Sequence, residues 1–230
     1  MNILIIGAAR GVGRHLAEQA AAAGHRVTGL VRDPMAAGLS RRNLRLVGGS
    51  ITSPAAVAEA VKGQDAVCIA IGIPPTRAAV DVFSKGTEVV LAAMRHARVR
   101  RLVCVTGIGA GDSRGHGGGL FDRIVQPLLL NSIYADKDRQ ETLIRASGVT
   151  WTLVRPGFLT NQPGSGRYRV STGLTGVIAR KISRADVASY LLREITMSMD
   201  AGRTVLVDGE AKVRVPADNA LCQTAGATLE

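Results

Sequence analysis

The sequence predicts a doubly wound parallel α/β sheet in a single domain, on three observations. Short runs that are apolar at every position recur along the chain, as strands buried on both faces require. Stretches of helical length lie between them, and strand and helix alternate without a break in composition. The length of 230 residues, with 46% hydrophobic, suits one domain with a sizeable core and does not suit a mainly disordered chain.

Residues 2–6 are the first apolar run, and a glycine-rich turn (7–13) leads into an Ala-rich helix over 14–23 that Gly24 closes. Residues 26–31 and 44–47 follow as strands. Ser53-Pro54 starts a helix with a cap residue and then proline in the first turn. Residues 65–71 are a fourth strand, 76–96 a helix and 101–105 a fifth strand. A glycine-rich loop (107–119) precedes a long helical region that contains Pro127 and runs to about Ser147. Residues 149–154 are the sixth strand, and Arg155-Pro156-Gly157 opens an irregular loop through Gly166. Ser183 and Asp186 form a capping box for a helix over 183–197, and 204–207 is a last strand. The domain is expected to span 1–215, with the substrate side at about 107–125 and 155–182 and a peripheral tail at 216–230.

Lys and Arg number 29 against 18 Asp and Glu, a net charge of +11. These basic residues are scattered, with only short clusters such as Arg41-Arg42 and Arg98-Val99-Arg100-Arg101. One Trp, three Tyr and three Phe provide no stacking platform for bases, so a nucleic acid is not the expected partner and a small anionic ligand is. No apolar run is long enough to span a bilayer, and Met1 leads into the first strand without a basic flank or cleavage site, so neither a membrane span nor a signal peptide is expected. Cys68, Cys104 and Cys222 are few and widely spaced, which predicts free thiols in a cytoplasmic protein rather than disulfides or a metal site.

The turn after the first strand has glycines at Gly7, Gly11 and Gly13, directly before a helix. This context lets backbone N–H groups and the helix N-terminus approach a pyrophosphate with no Cβ in the way. An NAD site usually has a carboxylate at the end of the second strand. Here Arg32 stands there, with Asp33 one step later, and Arg10 within the turn adds a guanidinium expected on the same side. Two such forks suit a 2′-phosphate and favour NADP(H) over NAD(H); the alternative is two ordinary surface arginines.

With these features the chain resembles the short-chain dehydrogenase/reductase superfamily, in the atypical NAD(P)H-binding branch that includes flavin reductase/biliverdin reductase B and the NmrA-like proteins. The resemblance runs from about residue 2 to 197. It rests on Gly7 to Gly13, Leu30-Val31-Arg32-Asp33, Gly63-Gln64-Asp65-Ala66-Val67, Ser84-Lys85-Gly86-Thr87 and Arg101-Leu102-Val103. The stretch from Arg145 to Gly157, Asn161-Gln162-Pro163 and the stretch from Ile182 to Ala188 complete it. It implies a Rossmann-type fold with Gly7, Ala9, Arg10, Gly11, Val12 and Gly13 at the pyrophosphate and Arg32 at the 2′-phosphate. It further implies Ser50 and Ile51 at the adenine, Ala70, Ile71 and Gly72 at the ribose, and Thr106, Gly107, Pro156 and Phe158 around the nicotinamide. Arg10 takes the branch's middle glycine place, and Phe158 the place of a histidine in the biliverdin-reducing relative.

Typical superfamily members use a Tyr whose proton is made available by a Lys four residues on. This chain has Tyr134 and Lys137, three apart, with Ile133 at the usual tyrosine place. Thr106, Tyr134 and Lys137 are the candidate catalytic residues, and Lys137 is also expected to hold the cofactor ribose. The alternative for Lys137 is a surface ion pair with Glu141, four residues on. The alternative for Thr106 is a strand-end hydroxyl capping local backbone. His116 and Asp112 are expected in a mobile, solvated loop, and Trp151 in the core. Ile73, Phe121, Leu128 and Phe158 are candidate walls of an apolar pocket. The expected function is that of an NADPH-dependent oxidoreductase passing a hydride to a small conjugated or aromatic carbonyl, quinone or flavin-like acceptor, as a monomer or homodimer. An NADP(H)-sensing regulator without turnover and a redox-neutral isomerase or epimerase are the alternatives.

Overall fold

The runs that are apolar throughout form the middle of the sheet in a computed structural model, which describes residues 1–210. β1 (Asn2–Ile6), β4 (Ala66–Ile69) and β5 (Arg101–Val105) are buried almost throughout, as central strands covered by helices must be. Together with β2 (Arg26–Val31), β3 (Leu44–Gly48), β6 (Thr150–Pro156), β8 (Tyr168–Ser171) and β10 (Thr204–Gly209) they make one sheet. Its order is β3-β2-β1-β4-β5-β6-β10-β8. All neighbours pair parallel except β8, which runs antiparallel to β10 at the edge. The fold is the single Rossmann-type domain that the resemblance implies.

α1 (Gly11–Ala22) and α6 (Arg184–Met197) cover one face, with Leu16, Ala17 and Ala20 in the same core as Val187, Leu191 and Ile195. α3 (Pro54–Val61), α4 (Val82–Ala97) and α5 (Asn131–Arg145) cover the other, over Val57, Val90, Met94 and Ile144. α2 (Pro34–Ala37) is a single turn. Each fully buried Leu, Ile or Val contributes roughly 1.5–3 kcal/mol by leaving water, so two complete layers account for the core.

Three parts of the chain depart from the sequence expectation. First, α4 starts at Val82 rather than near residue 76. A local turn, in which Thr76 Oγ1 accepts from Ala78 N at 3.1 Å, occupies the expected start of the helix, and Asp136 of α5 accepts from Phe83 N at the actual start. Second, the long helical region is two helices, with a π-helical segment (Phe121–Leu130) running into α5. Pro127 has no N–H to donate to an α-helical ladder, and the wider turn accommodates it. Third, the loop after β6 contains β7 (Phe158–Thr160), which pairs parallel with β9 (Lys181–Ser183). The expected tail at 216–230, and Cys222 within it, lie outside the described residues. Cys68 and Cys104 are free and buried, as expected, and burial pushes both thiols up, Cys104 to about 12.

Candidate functional site

The sheet order reverses between β1 and β4, and the carboxyl ends of these two strands open a crevice. The glycine turn forms its floor. Gly7 N donates to Leu30 O at 3.0 Å, and Ala70 N donates to Ile6 O at 2.9 Å, so the turn is fixed between β2 and β4. Gly7 has φ +95°, and a Cβ there would lie 2.7 Å from the Ala70 carbonyl oxygen. A Cβ on Gly13 would lie 2.3 Å from that of Gly7. Ala9 is half-buried against the core, and Val12 and Gly13 are buried on α1. Arg10 occupies the N-cap of α1 but makes no side-chain cap bond, so the helix N-terminus is left to an anion. A pyrophosphate fits this cradle on both counts.

Arg10 corrects one expectation. Its Nη2 donates to Gly72 O at 3.1 Å, beyond β4, whereas Arg32 follows β2. Since β2 and β4 lie on opposite sides of β1, the two guanidiniums flank the turn from different sides. Arg32 is exposed. Asp33 Oδ1 accepts from Met35 N and Ala36 N at 2.9 and 3.1 Å, so this carboxylate is engaged as the N-cap of α2. Ser50 bonds its hydroxyl to that of Thr52 at 2.9 Å, whereas Ile51 is buried against α4, where a Cβ on Gly86 would meet it at 2.7 Å. What Ile51 offers an adenine is therefore backbone. Ala70 and Ile71 are half-buried and Gly72 is exposed at the β4 side of the crevice.

The end of β5 carries the candidate chemistry. Lys137, only 7% exposed, donates from Nζ to the Thr106 carbonyl oxygen at 2.9 Å, and its Nζ stands 4.3 Å from the Phe83 ring centroid. Burial lowers its pKa to about 8, although Cys104, Glu141 and Asp136 pull the other way. It is not the surface half of an ion pair with Glu141. Glu141 is fully buried and accepts instead from Arg155, Arg145 and the Thr106 hydroxyl, the last at 2.7 Å. Burial alone would raise this carboxyl, but the Arg155 bonds and charge, with Thr106 and Arg145, hold it below the usual range. The Thr106 proton is thus committed to Glu141, which makes Thr106 an anchor for α5 rather than a proton donor to substrate.

Tyr134 does point at the end of β5, with its hydroxyl oxygen 3.3 Å from where a Cβ on Gly107 would stand. Its pKa is not lowered by Lys137. Burial, with a smaller contribution from Asp122, raises it to about 12. The Phe121 ring stands edge-on to Tyr134 (centroids 6.4 Å apart) and to Phe158 (5.3 Å), forming an aromatic cluster beside Gly107. Ile73 packs instead with Val80, Phe83 and Ile133, and Leu128 is 59% exposed. Pro156 is buried at the end of β6, and Trp151 packs in the core.

The 107–119 loop is pinned at several points rather than free. Gly111 N donates to Asp138 at 2.6 Å, and Arg155 Nη1 to Asp112 at 2.5 Å. His116 Nδ1 lies 2.8 Å from Val177 O, and Gln126 Nε2 donates to Gly109 O at 2.9 Å. The sequence reading missed the Glu141–Arg155 pair and the role of Asp186. This buried carboxylate accepts from the backbone of Ser165 and Gly166 and from the Ser183 and Ser165 hydroxyls. The capping box was the visible signal, but its second use as a clamp on the 161–166 loop depends on tertiary contact.

Among the described residues no group of His, Cys, Asp and Glu is placed to hold a metal ion, and no helix is long and apolar enough to cross a membrane.

A family model described as NAD(P)H-binding matches residues 7–198. A Bacillus subtilis (strain 168) protein named as the uncharacterized sugar epimerase YhfK is 28% identical over 167 residues, covering 70% of this chain and 71% of that protein. Among solved structures, the anaerobillin reductase ChuY of Escherichia coli O157:H7 superposes with a TM-score of 0.75 at 18% identity, over 92% of this chain and 98% of that one. A short-chain dehydrogenase/reductase (wide type) of Veillonella parvula DSM 2008, solved in complex with NADP, has a TM-score of 0.73 at 18% identity, over 91% and 95% of the two chains.

Proposed function

Because the chain belongs to this NAD(P)H-binding family, we propose that it is an NADPH-dependent oxidoreductase acting on a small conjugated or aromatic acceptor of the quinone or flavin type. The observation that carries the reading is the end of β5. There a buried lysine ammonium, fixed on the Thr106 carbonyl, sits beside a cluster of aromatic rings. When bound, the nicotinamide supplies a hydride. Lys137 has three donors and gives one to Thr106, which leaves donors for ribose hydroxyls. The rings of Phe121, Tyr134 and Phe158 provide an apolar, water-poor wall against which a conjugated acceptor can pack.

The unactivated phenol supports this acceptor class over simple ketones. A tyrosine whose pKa is held near 12 is a poor proton donor at neutral pH, and the Thr106 proton is taken. A quinone or flavin accepts the hydride and takes its proton from water, whereas an alkoxide needs a donor at once. Arg32, with Asp33 engaged in capping α2, supports NADPH over NADH.

The test is titration of the protein with NADPH and NADH by fluorescence, followed by menadione and FMN while absorbance at the nicotinamide band is recorded. Tight NADPH binding and oxidation are expected. Tight binding with no oxidation of any acceptor favours the regulatory alternative, to which the same raised Tyr134 pKa lends support. Absence of binding overturns the reading.

A further inference from the structure

The glycine turn is overlooked by a cation that belongs to neither β1 nor β4. Arg184 is the first residue of α6, half-buried, and its Nε stands 3.8 Å from where a Cβ on Gly11 would be. Three contacts determine that position. Gln19 Nε2 of α1 donates to Ala185 O at 3.0 Å, tying the start of α6 to the helix that follows the turn. Asp186 clamps the 161–166 loop to the same helix end. From that loop, Asn161 Oδ1 accepts from Arg184 Nη1 at 2.7 Å. The amide of Asn161 uses one donor of the guanidinium, which has five, and no carboxylate neutralises Arg184 among the described ion pairs. A charged fork is thereby presented over the uncapped N-terminus of α1, beside Gly11, in addition to Arg10, whose guanidinium reaches toward β4.

We propose that Arg184 is a cofactor-binding residue whose guanidinium, delivered by α6 and held by Asn161, takes the pyrophosphate of the dinucleotide beside Gly11. A pyrophosphate diester carries two negative charges. The helix N-terminus complements part of that charge and the Arg10 and Arg184 guanidiniums the rest, with the directional bonds that a fork makes to phosphate oxygens. The Asn161 contact joins this grip to the loop on the substrate side, so the pyrophosphate and the acceptor pocket share one anchor. The inference rests on the dinucleotide reading of the crevice.

Arg184→Gln, Arg184→Lys and the wild type are titrated calorimetrically with NADPH and with adenosine 2′-monophosphate, which has the 2′-phosphate but no pyrophosphate. Arg184→Gln is expected to weaken NADPH about tenfold to a hundredfold and to change the 2′-monophosphate less than twofold, with Arg184→Lys in between for NADPH. Unchanged NADPH affinity in Arg184→Gln overturns the proposal. So does an equal loss for both ligands, because a merely structural arginine would produce it. If the wild type does not bind NADPH, the dinucleotide reading fails with it, and that failure is visible before any variant is made.

Discussion

Arg155 and Glu141 meet in the interior as a two-pronged pair, Nε to Oε1 at 3.0 Å and Nη2 to Oε2 at 2.6 Å, with both side chains shut off from solvent. The pair joins β6 to α5. Through Thr106 on one side and Asp112 on the other it also ties the end of β5 to the glycine-rich loop. Rigid placement of α5 matters because α5 carries both Tyr134 and Lys137.

Breaking this pair on one side leaves a buried guanidinium short of its counter-charge, so Glu141→Gln is expected to cost about 3–5 kcal/mol in urea unfolding. Arg155→Met combined with Glu141→Gln is expected to recover part of that loss, giving a coupling of more than about 1 kcal/mol in a double-mutant cycle. Because the Glu141 pKa is held low, the stability it brings is present above the ordinary carboxylate pKa and is lost as pH falls through the folded value. The acid limb of the stability profile is accordingly shallower in Glu141→Gln.

Lys137 has the opposite signature. An unfolded lysine keeps its proton to about 10.4, whereas the folded one releases it near 8. Between those values unfolding takes up a proton, so stability rises with pH. Measured by denaturant unfolding, the wild type is expected to gain on the order of 1–3 kcal/mol relative to Lys137→Met from pH 8 to 10.5. If cationic Lys137 grips the ribose, NADPH affinity of the wild type falls over the same alkaline range, and that of Lys137→Met stays flat.

Gly13→Ala places a methyl group against the Gly7 carbonyl oxygen, a backbone atom that cannot swing aside. Loss of measurable NADPH binding is expected, with a destabilisation of roughly 1–3 kcal/mol from the forced shift of the turn. Fluorescence titration and a thermal melt read the two effects separately.

Arg32→Ala is expected to weaken NADPH about tenfold to a hundredfold and NADH less than threefold, since only one of them has a 2′-phosphate. Equal losses in parallel titrations would remove the argument for NADPH.

What lies in consecutive residues was legible before any tertiary contact was known. The apolar runs of β1, β4 and β5, the glycine turn and the Ser183–Asp186 cap depend on local backbone freedom, side-chain period and nearest-neighbour bonds. They led to the sheet and to the cofactor crevice. The start of α4 was not legible, because its free N–H groups are met from α5: Phe83 N donates to Asp136 at 2.8 Å, and the Ser84 hydroxyl to the same carboxylate at 2.5 Å. Nor was the fate of Lys137 and Glu141, for which a surface pair one helical turn apart was the alternative to a cofactor role for Lys137. Their actual partners, Thr106 and Arg155, come from β5 and β6. The sequence by itself determined the central strands, the helices that cover them and where an anion can approach the backbone. Tertiary structure alone decided which charges are buried and what satisfies them. A buried polar group must find a partner, and distant segments of chain meet only once the helices have packed on the sheet.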